Sequence, residues 1–110
     1  MDDHARSRSC ARRLLEAEGF QVVGEAEDGA SAVRAARELA PDVVVLDVQL
    51  PDIDGFEVTK RLCADGSAPT IVLVSSRDRS DYGDVVSSCG AVGFIPKAEF
   101  SASALVDLLP

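Results

Sequence analysis

Residues Pro41 to Gly55 read PDVVVLDVQLPDIDG, and this stretch decides the fold. Val43 to Leu46 form a short, unbroken apolar run that ends on Asp47, and the turn-rich PDIDG follows shortly after. An apolar run of that length between turn signals predicts a strand covered on both faces, the pattern of a parallel sheet. Such a strand delivers its last residue to the crevice outside the carboxyl edge of the sheet, where open α/β folds bind ligands. Asp47 takes that place, where an acid is expected to be solvated and reactive. A carboxylate three residues earlier would be buried at a cost of several kcal/mol.

Working outward, the chain alternates helical and strand-like patterns. His4 to Glu18 carries Ser7, Ala11, Leu14, Leu15 and Glu18 at near-helical spacing, with Arg6, Arg8, Arg12 and Arg13 on other faces, and Gly19 ends it. Phe20 to Ala26 (FQVVGEA) predicts a short strand. Ser31 to Leu39 predicts a helix with Ala32, Ala35, Ala36 and Leu39 inward, closed by Pro41, which restricts its predecessor to extended geometry. Beyond the Asp47 strand, Gly55 to Asp65 predicts a helix, and Thr70 to Val74 (TIVLV) a buried strand ending in Ser75-Ser76. Asp78 to Cys89 predicts a helix weakened by Gly83 and serines, Gly93 to Ile95 a brief strand before Pro96-Lys97, and Ser101 to Leu109 a last helix. Strands alternating with helices imply a parallel sheet wrapped on both faces by right-handed crossovers.

The chain has 110 residues, enough for one core. Its 46% hydrophobic and 27% charged content is ordinary for a globular domain, and the formal net charge of −8 argues against nonspecific binding to nucleic acid or anionic membrane. No apolar run approaches the roughly 20 residues of a membrane span. Cys10, Cys63 and Cys89 are odd in number and widely spaced, which fits reduced thiols in a cytoplasmic setting.

The polar residues at the predicted strand ends suit one chemistry. Asp47, Ser75 and Lys97 each follow a strand, so a parallel sheet gathers them on one edge, and Asp2 and Asp3 precede a helix where the end of a further strand would place them on the same rim. Clustered carboxylates call for a hard divalent cation, and Mg²⁺ takes one or two carboxylates together with phosphate oxygens. Phosphoryl transfer onto Asp47 then becomes feasible. Lys97 pairs with the phosphoryl oxygens, and the Ser75 hydroxyl is drawn to the new charge of roughly −1.5 to −2.

These segments together (the Asp2-Asp3 pair, LD–LPDIDG, the hydroxyl after the TIVLV strand, and GFIPK) resemble the receiver domain of two-component response regulators across essentially the whole chain. The resemblance implies a flavodoxin-like, three-layer α/β/α fold with parallel strand order 2-1-3-4-5. It implies Asp47 as phosphoacceptor, with Asp2, Asp3, Asp47 and a backbone carbonyl of Gln49 on Mg²⁺. Ser75 becomes the switch hydroxyl, Lys97 the lysine of the pattern, and Phe94 the aromatic whose rotamer follows the switch. A histidine kinase or phosphotransfer protein would be the donor and a downstream protein the target, with no direct nucleic-acid or membrane contact and with dimerisation on phosphorylation left open.

The sequence departs from the pattern at its amino end. Receivers carry an apolar strand before the acidic pair, in the middle of the sheet, and here only Met1 precedes Asp2. The expectation is therefore a receiver over residues 1–110 without its first strand, through a start placed a few codons late or a real truncation. Ala98 also follows Lys97 where the family often has proline. Because the chain ends at Pro110 directly after the last predicted helix, it is expected to be a stand-alone, non-enzymatic receiver with output through protein contacts, or else the receiver fragment of a longer product. The alternative is a phosphorylation-independent interaction module with an idle acidic site. A phosphatase with an aspartyl intermediate is disfavoured, because Gln49 stands where such enzymes place a second Asp. Among the remaining residues, Asp52 and Asp54 are expected as turn formers, His4 as solvated, the four arginines as a solvated face, and Tyr82 as a surface or interface residue.

Overall fold

The computed structural model describes residues 5–64, 69–77, 82–83 and 90–109. In chain order, α1 spans Ala5–Ala17, α2 Gly29–Leu39, β1 Val43–Asp47, α3 Gly55–Ala64, β2 Thr70–Ser75, β3 Gly93–Pro96 and α4 Ala102–Leu108. A 3₁₀ turn, Lys97–Glu99, joins β3 to α4.

The three strands form a parallel sheet in the order β1-β2-β3. Asp47 lies beside Val74, and one step further along, Ser75 lies beside Pro96. Alternation along these apolar strands feeds two cores. Val44, Leu46, Ile71 and Leu73 pack with Ala32, Val33 and Ala36 of α2 and with Val58 and Leu62 of α3. Val72, Val74 and Ile95 face the other way, with Leu105 of α4 and, at their margin, Leu15 of α1. Among the described residues two helices thus cover each face, which is the expected three-layer α/β/α arrangement of the flavodoxin-like class.

The helix ends follow local chemistry. The α2 helix starts two residues ahead of the expected Ser31 because Asp28 accepts the Ser31 N–H at 2.8 Å and so caps the first turn. At its other end Ala40 is left-handed (φ 46°) rather than extended, and its N–H closes the last turn on the Ala36 carbonyl. Ser101 caps α4 through the Ala104 N–H at 3.1 Å.

One expectation is corrected. Phe20–Ala26 carries no ladder and is irregular, although its sequence alternates like a strand. A strand exists only against a neighbour that takes its hydrogen bonds. In the expected order this segment's neighbour is the first strand of the sheet, which is not among the described strands. Between the segment and the sheet lies a cavity of about 480 Å³, lined by Phe20, Val22 and Gly24 on one side and Val43 and Val45 on the other. Around it Leu14, Val23 and Leu39 remain 45%, 48% and 46% exposed. The segment is tied to α1 by Arg12, whose Nη1 lies 2.7 Å from Glu25 Oε2. That bond, helped by Glu16, raises the Arg12 pKa above its usual value.

The expected helix over Asp78–Cys89 falls outside the described residues except for Tyr82 and Gly83, which form a turn. No helix among the described residues is long and apolar enough to cross a membrane.

Candidate functional site

Asp47 ends β1 buried, with only 1% of its surface exposed, and not solvated as its place at the strand end led us to expect. Two features of the backbone hold it there. The Val48 N–H donates to the Val74 carbonyl at 2.9 Å, extending the parallel ladder one step past Asp47. The chain then turns back, and the Gly55 N–H donates to the Val48 carbonyl at 2.8 Å, seating the start of α3 on the strand end. A side chain at Gly55 would place its Cβ 2.6 Å from the Asp47 carbonyl oxygen and 2.9 Å from Val48 Cα, so this approach requires glycine.

A buried carboxylate needs charge and hydrogen-bond partners. Lys97 Nζ lies 2.8 Å from Asp47 Oδ2, and the Gln49 N–H donates to Oδ1 at 2.9 Å. Lys97 reaches Asp47 from the first residue of the 3₁₀ turn after β3, two strands away in the sheet. The Gln49 side chain accepts from Ser76 Oγ at 3.2 Å, linking the turn after β1 to the end of β2.

Ser75 is the last residue of β2 and is fully buried. Its Oγ accepts from the Arg77 N–H at 3.1 Å and lies 2.6 Å from Tyr82 Oη. Phe94 of β3 touches the same tyrosine, with ring centroids 5.8 Å apart. Asp47, Gln49, Ser75, Phe94 and Lys97 thus come from three strand ends and the turns after them. Asp2, Asp3 and His4 lie outside the described residues. Among the described residues no three His, Cys, Asp or Glu side chains gather as a metal centre would need.

Asp52 and Asp54 are turn residues with structural duties. Asp54 accepts the Glu57 N–H at 2.8 Å across the first turn of α3. Asp52 reaches instead to α2, where Oδ1 accepts from Gly29 N–H at 2.7 Å and Oδ2 from Ala30 N–H at 3.0 Å. These bonds, Gly29 first and Ala30 next, hold the Asp52 carboxyl below the usual carboxylate range. Cys10 is an exposed free thiol and Cys63 a half-buried one. Tyr82 is the site residue to which sequence reasoning gave no role at Ser75. Expected as a surface or interface residue, it is half-buried with its hydroxyl on Ser75, a contact whose one trace in the sequence is its position seven residues after Ser75.

Comparison with known proteins agrees with this geometry. The family described as the response regulator receiver domain matches residues 1–109. The chain belongs to that family. This receiver is 37% identical over 103 residues to the transcriptional regulatory protein LiaR of Bacillus subtilis, covering 93% of the chain and 49% of LiaR. It superposes on the signal receiver domain of NarL from Mycobacterium tuberculosis with a TM-score of 0.86 and 31% identity, covering 97% of this receiver and 90% of that domain. The chemotaxis response regulator CheY4 of Vibrio cholerae shares the fold, with a TM-score of 0.88 at 24% identity over 98% of this chain and 93% of CheY4. The receiver spans about half the length of the curated relatives it matches.

Proposed function

We propose that this receiver takes a phosphoryl group on Asp47 from a phosphohistidine of a histidine kinase or phosphotransfer protein and answers by changing a protein-binding surface. The observation that carries the reading is the buried Asp47 carboxylate at the end of β1, held by Lys97 at 2.8 Å. A carboxylate kept out of water at such cost, on the ligand-binding edge of a parallel sheet, is more than a strand terminator.

The transfer balances simply. An Asp47 carboxylate oxygen forms the new O–P bond, the donor's N–P bond breaks, and the departing imidazole nitrogen keeps the bonding pair, which a proton neutralises. Lys97 orients the carboxylate beforehand and then follows the negative charge onto the phosphoryl oxygens. The turn after β1, closed by the Gln49 N–H, keeps the Asp47 side chain from rotating away. Ser75 supplies a hydroxyl from the neighbouring strand end, and Phe94 lies where a move of Ser75 and Tyr82 is felt.

The donor set suits Mg²⁺ by type. Asp47 offers a hard oxygen, and Gln49 follows two residues later with a carbonyl. The two further carboxylates that the ion would want are Asp2 and Asp3. When bound, Mg²⁺ supplies charge neutralisation between the acidic site and the anionic donor. The domain itself is a signalling module rather than an enzyme, cytoplasmic, with a downstream protein as its target and without direct contact to nucleic acid. Dimerisation would follow phosphorylation if it occurs.

The test is incubation with acetyl phosphate and Mg²⁺ followed by intact-mass measurement. One phosphoryl increment that Asp47→Asn abolishes is expected. Absence of any increment in the unaltered chain would leave an interaction module with an idle site.

A further inference from the structure

The hydroxyl of Ser75 is already committed. It is fully buried, accepts from the Arg77 N–H at 3.1 Å, and sits 2.6 Å from the Tyr82 phenol. Tyr82 in turn is held between two rings. It meets Phe56 of α3 edge-on, with centroids 5.3 Å apart and planes at 70°, and Phe94 of β3 at 5.8 Å and 59°. Gly83 directly after it is left-handed (φ 62°), a backbone that glycine adopts at little cost.

The direction of the short bond follows from counting protons. A serine hydroxyl has one proton and two lone pairs. Were Tyr82 the donor, both lone pairs of Ser75 would be taken, and its own proton would need an acceptor inside a fully buried site. Among the described residues Ser75 has no such second acceptor. With Ser75 as donor the count closes, since Tyr82 is half-buried and its own proton can reach water. The single Ser75 proton is therefore spent on Tyr82.

We propose that Tyr82 is a positioning residue for the switch. It holds the Ser75 proton in the resting state, and Ser75 must exchange Tyr82 Oη for a phosphoryl oxygen on Asp47 to reach the active one. This rests on the reading of Asp47 as phosphoacceptor. The exchange removes the Ser75 hydrogen bond that helps fix the Tyr82 ring between Phe56 and Phe94, so a proton moved at the site becomes a repacking of three aromatic side chains from α3, β3 and the turn after β2. The latch resists activation by the worth of one buried hydrogen bond.

The chain provides its own probe, because Tyr82 is the one tyrosine and there is no tryptophan. Tyrosine emission and its quenching by acrylamide are read in the full chain with Mg²⁺ while beryllofluoride, a tetrahedral phosphoryl mimic, is added. Emission and quenching are expected to change to saturation, and to stay constant in Asp47→Asn. In Tyr82→Phe, which keeps the ring contacts, half-saturation followed by ¹⁹F NMR of bound beryllofluoride is expected to fall by roughly three- to tenfold, the equivalent of one neutral hydrogen bond. Silent emission at saturation, or an unchanged or raised half-saturation in Tyr82→Phe, overturns the latch. If acetyl phosphate leaves no increment on Asp47, the underlying reading falls and the latch with it. An increment on Asp47 with silent emission removes the latch alone.

Discussion

The Asp47–Lys97 pair is asymmetric, and the asymmetry can be measured. Asp47 is 1% exposed, whereas the Lys97 side chain keeps 27% of its surface in contact with water. Removing Lys97 leaves a buried carboxylate facing the Gln49 N–H with its main countercharge gone. Removing the charge of Asp47 instead leaves an ammonium that can turn to solvent. We therefore expect Lys97→Ala to cost roughly 3 kcal/mol in urea unfolding near neutral pH, and Asp47→Asn to cost clearly less or to stabilise. Equal costs for the two would mean that Lys97 contributes little to holding the carboxylate. The same pair limits what sequence alone can say. Asp47 and Lys97 are fifty residues apart, and only the end-of-strand position of each pointed to their meeting.

At the scale of elements, the loop between β1 and α3 is fastened at both ends. Gly55 lets α3 start against the backbone of Asp47 and Val48, and a Cβ there would meet the Asp47 carbonyl oxygen at 2.6 Å. Gly55→Ala must push α3 or the end of β1 aside, at a cost of about 2–3 kcal/mol in unfolding measurements, with phosphorylation of Asp47 slowed as its backbone shifts. Asp52 fastens the loop to α2. Its folded pKa lies below its unfolded value, so its contribution is full above the ordinary carboxylate range and is lost as pH falls through the folded value. Thermal unfolding below about pH 4 should therefore depend less steeply on pH in Asp52→Ala than in the unaltered chain. The described helices and the three paired strands were legible from periodicity to within a few residues. Asp52 to α2 and Tyr82 to Ser75 were not legible. Each is one side chain crossing between elements, and such contacts depend on the assembled layers rather than on any local period. Phe20–Ala26 reads as a strand because its own residues alternate, yet pairing belongs to the neighbour as much as to the segment.

Across the whole molecule, the gap beside β1 departs from a closed core. It measures about 480 Å³, has apolar residues of β1 on one side and the unpaired Phe20–Ala26 segment on the other, and leaves Leu14, Val23 and Leu39 nearly half exposed around it. A cavity between a parallel sheet and a strand-patterned segment calls for an apolar strand, since only backbone can bond both sides while its side chains fill the two layers. Fusing a Val-Leu-Ile-Val tetrapeptide ahead of Met1 is expected to supply it. Covering the half-exposed side chains should add about 3 kcal/mol, read as a higher urea midpoint and a steeper denaturant dependence as more surface becomes buried. Amide exchange should slow in Gln21–Ala26, which would gain a ladder. An extension of alternating Ser and Gly residues, equal in length but unable to fill the layers, should do neither. If both extensions leave the midpoint and the exchange rates where they were, the gap is not a strand site, and the irregular course of Phe20–Ala26 is the chain's own preference.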